Sequence, residues 1–325
     1  MTIRDNILAT LSTHNVMSIV ELCTTIQGND KTIRCTIEYL CHQGILERVS
    51  YKPVKVQLCQ NKNIDLEKEN QRLHKQLDLL TKHGKITSYN FQGKTLRFGA
   101  LGDTQLCSRY EKLDLLEAAY DFFEAEGISL VLHAGDFLDG EKVYRGHEYE
   151  LHTIGADAQI RYAVQNYPKK AGITTEFITG NHDACYWKQM GLDVGESLAE
   201  QRDDLIYLGM QEADKIFTSD EGRITVRLTH PSGGTAYAVS YKSQKYIESL
   251  SGGQKPNLIF MGHFHKQEHI FFRNVHCIQV GCIQEQTPFM RGIPTPAIMG
   301  FYLVELVVRD ESILRCKPEF IPAYY

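Results

Sequence analysis

The chain has 325 residues, a formal net charge of −5, 42% hydrophobic and 23% charged residues. That profile is globular and long enough for two domains, and it excludes collagen-like and disordered classes. No apolar run approaches the ~18 residues of a membrane span, and Met1-Thr2-Ile3-Arg4-Asp5 lacks the apolar core of a signal peptide. Nine cysteines without a C-x-x-C pair read as reduced thiols, so the expectation is a cytoplasmic protein without membrane attachment. The charge is uneven: residues 1–90 sum to +3 and residues 91–325 to −8. This weakly favours an anionic partner for the front of the chain.

In chain order, Ile3, Ile7, Leu8 and Leu11 repeat at helical spacing. Ser18 is placed to cap a second helix to Ile26, and Asp30 to cap a third through Leu40, with Ile33, Ile37 and Leu40 on one face. Ile45–Val49 and Val54–Leu58 read as two strands around Tyr51-Lys52-Pro53. Three helices, a tight turn and a terminal ribbon over residues 1–60 resemble a winged helix-turn-helix. In such a domain the third helix is the recognition element, and Lys31, Thr32 and Arg34 near its start are the candidate DNA contacts. The alternative is a small helical adaptor that touches only protein.

Residues 61–90 read as a helical linker. Within 62–82, Leu66, Asn70, Leu73, Leu77 and Leu80 alternate in steps of four and three, a heptad seam whose Asn would favour a parallel two-stranded register. The expectation is either a homodimer through 62–82 or one amphipathic helix lying on its own chain.

Residues 91–325 alternate strand-like and helix-like stretches. Thr95–Leu101 leads to Gly102-Asp103-Thr104-Gln105. A helix over Lys112–Glu126 precedes Ile128–His133 and Gly135-Asp136. A helix over Ala156–Asn166 precedes Thr174–Thr179 and Gly180-Asn181-His182-Asp183. Ile224–Thr229 ends at His230, and Leu258–Met261 at Gly262-His263-Phe264-His265. Polar residues just past strand ends are the usual site geometry of an open α/β sheet. Phe271–Gln279, Gly300–Val308 and Ile313–Pro318 read as further strands, predicting a second sheet packed on the first.

The motifs combine carboxylates, an amide oxygen and imidazoles, a mixed O/N set that suits borderline divalent metals. Taken in order, Asp103, Gly135-Asp136, Gly180-Asn181-His182-Asp183, His230 and Gly262-His263-Phe264-His265 resemble the calcineurin-like metallophosphoesterase superfamily over about residues 96–265. The resemblance implies two mixed sheets face to face, flanked by helices, and two divalent metal ions, with Mn favoured and Fe, Zn or Mg admitted. It implies that Asp136 bridges the metals, that Asp103 and His265 complete one, and that Asn181, His230 and His263 complete the other. Two ions held by a shared carboxylate lower the pKa of a shared water to give hydroxide for in-line attack on a phosphate ester.

One position departs from the family pattern: Gln105 stands where a histidine is usual. It is either a weak ligand or a hydrogen-bond partner of the water. His182 is the candidate group that stabilises or protonates the leaving oxygen, with Asp183 orienting its ring. His133 and His276 read as packed strand-end residues. Arg145 and His147, in the insertion after Asp136, are candidate substrate contacts.

The functional expectation is a phosphoesterase acting on a phosphodiester in nucleic acid, with residues 1–60 as a DNA-binding module. The alternatives are a phosphomonoesterase or small-molecule nucleotide phosphodiesterase whose front domain serves assembly, and a DNA-binding regulator without turnover.

Overall fold

The computed structural model describes residues 3–14, 16–26, 29–42, 45–51, 54–58, 86–251, 253 and 255–324. The chain divides into two units, Met1–Leu77 and Asp78–Tyr325. The heptad segment 62–82 lies outside the described residues.

The first unit contains α1 (Ile3–His14), β1 (Val16–Ser18), α2 (Ile19–Thr25), α3 (Asp30–His42), β2 (Leu46–Tyr51) and β3 (Val54–Leu58). Ile7, Leu11, Leu22, Ile33, Ile37 and Leu40 repeat every three or four residues along their helices and are buried together with Leu46 and Val56. Ser18 and Glu21 form a reciprocal capping box at the start of α2: the Ser18 N–H donates to Glu21 at 2.7 Å and the Glu21 N–H donates to Ser18 Oγ at 3.2 Å. The cap of α3 is Asn29 rather than Asp30. Asn29 Oδ1 accepts the Lys31 N–H at 2.9 Å, and Asp30 falls inside the first turn, because a cap must precede the N–H it satisfies by two or three residues. The strands pair antiparallel in the order β1-β3-β2. At three residues, β1 is too short to show an alternation in sequence.

The second unit opens with β4 (Thr87–Asn90) and β5 (Thr95–Leu101), then α4 (Leu113–Ala125), β6 (Leu130–His133) and α5 (Ala156–Asn166). There follow β7 (Thr174–Thr179), α6 (Ala184–Met190), α7 (Val194–Gln201), β8 (Leu205–Met210), β9 (Glu212–Ser219), β10 (Gly222–Thr229) and α8 (Tyr241–Ser249). The unit ends with β11 (Leu258–Met261), β12 (Gln267–Phe272), β13 (Val275–Val280), α9 (Pro288–Gly292), β14 (Gly300–Arg309) and β15 (Ser312–Pro322). They form two six-stranded sheets, ordered β15-β14-β5-β6-β7-β8 and β12-β13-β11-β10-β9-β4. Strands β5 to β8 run parallel, as do β10, β11 and β13.

Three sequence expectations are corrected here. Residues 87–90, expected in the linker, form β4, which pairs parallel with β9; four alternating half-buried residues carry little signal. The stretch 271–279 is a hairpin of β12 and β13, broken where Arg273 and Asn274 take positive φ. The strands of the tail are shared between both sheets, with β14 and β15 extending the β5 sheet. Pairing partners distant in sequence leave no local signature.

Between the sheets lies a core that includes Phe98, Leu132 and Ile178 of one and Phe217, Val226, Phe260 and Ile278 of the other. Each fully buried aliphatic or aromatic side chain contributes about 1.5–3 kcal/mol by leaving water. On the outer face of the β5 sheet, α4 buries Leu116, Ala119, Tyr120 and Phe123 at helical spacing. Gly99 makes room for this packing, since a Cβ there would come within 2.7 Å of the Phe123 ring. On the other outer face, α8 buries Ile247 against Ile259, Met261 and Cys277. The layers hold the ends of β5, β6 and β7 beside those of β10 and β11.

Candidate metal centre

The loops after these five strands carry the candidate ligands in unusual backbone conformations. Asp103, Gln105, Asp136, His263 and His265 have φ of 51°, 48°, 53°, 83° and 51°. Left-handed backbone at a non-glycine residue costs of order 1–3 kcal/mol and persists where surrounding structure enforces it, typically at functional sites. Here the enforcement is visible: the Asp103 N–H donates to the Gly135 carbonyl at 2.9 Å and the Gln105 N–H to the Asp136 carbonyl at 3.1 Å.

Asp136 is the hub. One oxygen accepts the His182 N–H at 2.9 Å; the other accepts Gln105 Nε2 at 3.0 Å and faces His230 Nε2 at 3.1 Å. Asp103 accepts the His263 N–H on both oxygens at 3.0 Å, and its Oδ1 lies 3.3 Å from His265 Nε2. Asp136, His230 and His263 each offer a donor atom within 4.8 Å of the others. Asp103, Gln105, Asp136, His230 and His265 are buried, and Asn181 and His263 partly so.

Second partners fix the imidazoles. His230 Nδ1 donates to the Ala134 carbonyl at 2.8 Å, which turns Nε2 toward Asp136. His263 Nε2 donates to the Gly233 carbonyl at 2.8 Å, leaving Nδ1 as its lone-pair nitrogen. Burial disfavours charge on His230, yet Asp136 raises its pKa to about 9. Burial and the His230 charge together lower His263 to about 4. Burial acts to raise Asp136 as well, but His230 and His182 hold it far below the usual carboxylate range.

The residues fit divalent cations on two independent grounds. Gln105 Oε1 and Asn181 Oδ1 are buried acceptor atoms without a hydrogen-bond partner, beside the Asp136 carboxylate and the imidazoles that face it and Asp103. Each such atom costs about 1–3 kcal/mol if nothing satisfies it, and two bare amide oxygens beside carboxylates and imidazoles match a cation's donor shell. The loops also approach too closely for side chains. A Cβ on Gly180 would overlap the Asp136 carboxylate, and one on Gly262 would lie 2.8 Å from His230 Nδ1 and 3.0 Å from Asp103 Oδ2.

The comparison with known families agrees: the family profile described as calcineurin-like phosphoesterase matches residues 96–267. The chain belongs to the calcineurin-like phosphoesterase family. Its second unit is a hydrolase acting on phosphate esters. No curated protein matches the chain in sequence. Similar solved structures include an archaeal phosphodiesterase, 15% identical with a TM-score of 0.38, covering 70% of this chain and 100% of that one. GAP50 of Plasmodium is 14% identical with a TM-score of 0.40, covering 71% and 85%. Zinc-bound Vps29 of Entamoeba histolytica is 13% identical with a TM-score of 0.33, covering 69% and 99%. At these identities and TM-scores the likenesses carry no argument, and the family rests on the profile match.

Within this phosphoesterase centre, the orienting group of His182 is Asp139 and not Asp183. His182 Nδ1 lies 2.7 Å from the Asp139 carbonyl and 3.1 Å from Asp139 Oδ1. The Asp183 carboxylate instead accepts the backbone N–H groups of Phe137, Leu138 and Gly180 at 3.0, 2.8 and 2.8 Å. Its position beside His182 in sequence misleads, because the turn points consecutive side chains apart. The readable signal for Asp139 is a second carboxylate three residues beyond Asp136 in the same loop. Burial opposes charge on His182, but Asp136 and Asp139 raise it to about 9.

A cavity of about 280 Å³ opens over the cluster. Its lining includes Asp136, Asn181, His182 and His263 together with Tyr144, Phe264, Phe289 and Ile293, and no Lys or Arg is among its lining residues. Tyr144 and Phe289 stack at 4.0 Å between centroids and 16° between planes. Neither Arg145 nor His147 lines this cavity. Arg145 is exposed, whereas His147 is fully buried with Nε2 3.4 Å from Asp139 Oδ1. The insertion therefore meets the cavity through Val143 and Tyr144. His133 is buried against Thr104 Oγ1 at 3.1 Å, and burial lowers it to about 3. In the first unit, Lys31, Thr32 and Arg34 are exposed on α3.

Proposed function

We propose that residues 91–325 hydrolyse a small phosphodiester carrying a flat or apolar substituent, at a centre for two divalent ions. Asp136 would be shared; Asp103 and His265, with Gln105 through Oε1, would hold one ion, and Asn181, His230 and His263 the other. The O/N donor mixture favours Mn, with Fe, Zn or Mg as alternatives. When bound, such a pair supplies Lewis-acid charge to the phosphate and lowers the pKa of water. His182 is the proton donor to the leaving oxygen: the Asp139 carbonyl accepts from Nδ1 and fixes the ring, so that Nε2 remains to donate.

The cavity wall carries the reading of the substrate. A polyanion such as DNA is held by rows of Lys and Arg on its phosphates, and this cavity has none among its lining residues. The stacked Tyr144–Phe289 wall instead suits a nucleobase or aryl group beside a single phosphate.

A second reading keeps the nucleic-acid substrate. Three helices, an antiparallel ribbon and the exposed Lys31, Thr32 and Arg34 favour a winged helix-turn-helix in residues 1–60 that brings DNA to the enzyme. Metal-screened hydrolysis of bis-p-nitrophenyl phosphate, p-nitrophenyl phosphate, cyclic nucleotides and labelled DNA, with Asp136→Asn as control, separates the two. Diester or nucleotide turnover without DNA cleavage is expected. DNA cleavage lost in Asp136→Asn would install the second reading, and monoester turnover alone would overturn both.

A further inference from the structure

On β12, β13 and β15, three potential ligands outside the candidate metal centre meet at the edge of the sandwich. His269 lies on β12 and His276 on β13, diagonal neighbours on the face turned to the opposite sheet; Cys316 lies on β15, the edge strand of that sheet. His269 Nε2 and His276 Nδ1 are 3.0 Å apart, the rings stack at 5.3 Å, and one donor atom of each of the three residues lies within 4.8 Å of the others. Cys316 is a free thiol, and among the described residues it is the cysteine gathered with two imidazoles. We propose that His269, His276 and Cys316 bind a zinc ion that clips the two sheets together at their open edge.

The donor set carries the choice of ion. Two imidazole nitrogens and one thiolate are borderline-to-soft ligands, suited to Zn(II) and poorly suited to Mg or Ca. Zn–N bonds of about 2.0–2.1 Å in a tetrahedron place two nitrogens about 3.3 Å apart, close to the separation already present. His269 is exposed and Cys316 half-buried, so solvent reaches the fourth position, as in zinc sites with three protein ligands.

Burial lowers His269, and burial with its neighbour lowers His276 to about 4, so both rings are neutral; burial pushes the Cys316 thiol up to about 12. On binding, the hydrogen bond between the rings is exchanged for two N–Zn bonds, the donor ring passing its proton to its other nitrogen. The thiol proton leaves to solvent. Zinc binding near neutrality therefore releases one proton.

The test uses the full chain carrying Asp136→Asn, which weakens the phosphoesterase centre. Cobalt(II) titration is expected to produce a thiolate-to-cobalt charge-transfer band in the near ultraviolet, lost on adding Cys316→Ser. In the chain without substitutions, zinc is expected to block alkylation of Cys316 by iodoacetamide, read by peptide mass. Two results would overturn the proposal. One is a charge-transfer band that is absent, or that survives Cys316→Ser and so arises from another thiol such as Cys282 beside His265. The other is alkylation of Cys316 at the same rate with and without zinc, a readout that needs no variant to fold.

Discussion

Lys215 and Glu176 form an ion pair between the two sheets, and its removal gives a sharp test of what holds them in register. Lys215, on β9, is 1% exposed and Glu176, on β7, 7%. The Nζ lies 2.7 and 2.6 Å from the two carboxylate oxygens and 5.4 and 5.5 Å from the Tyr89 and Phe217 ring centroids. Removing one member of such a pair strands an uncompensated charge in an apolar layer, which costs about 3–5 kcal/mol. Replacing both by apolar groups of similar volume is neutral or stabilising by about 1–4 kcal/mol, because neither ion need be desolvated. Lys215→Met is therefore expected to destabilise the second unit by about 3–5 kcal/mol. Lys215→Met with Glu176→Leu should restore its stability. Urea unfolding followed by the fluorescence of Trp187, the single tryptophan and a residue of the second unit, measures all three proteins in chelator. A Lys215→Met cost below about 1 kcal/mol would mean that water reaches the pair. A double variant as unstable as the single would mean that the pair is a net source of stability, and either result refutes the reasoning.

Other substitutions divide chemistry from scaffold. Asp139→Asn should lower kcat by about 10²–10⁴ with little change in KM, because it loosens the proton donor; Asp183→Asn should instead cost about 1.5–3 kcal/mol of stability, because an amide cannot accept from all three backbone N–H groups. Steady-state kinetics and urea midpoints of the two variants distinguish these outcomes. Gln105→His replaces an amide by an imidazole beside Asp136 and should tighten the weaker metal equivalent. Manganese titration by calorimetry would contradict this by showing unchanged or weaker binding.

Much of the fold and centre was legible because strand-end motifs are local. A strand run followed by a turn that carries a carboxylate, an amide or a histidine places those side chains at a sheet edge whatever the rest of the chain does, and so the candidate ligands Asp103, Asp136, Asn181, His230, His263 and His265 could be named from their neighbours. Helix faces such as Ile33-Ile37-Leu40 were readable for the same reason: period and cap lie within a few residues. By itself, then, the sequence determined the α/β class, the donor types of the candidate ligands and the family. Tertiary structure alone decided which carboxylate holds His182, since Asp139 reaches it from another loop, a crossing that sequence distance does not encode, while the adjacent Asp183 points away. It also decided that His147 is buried behind Asp139 while Tyr144 meets the cavity, and that strands far apart in the chain share one sheet. The pairing of His269 and His276 with Cys316 belongs there too, for three side chains from two sheets become neighbours only when the sheets close on each other.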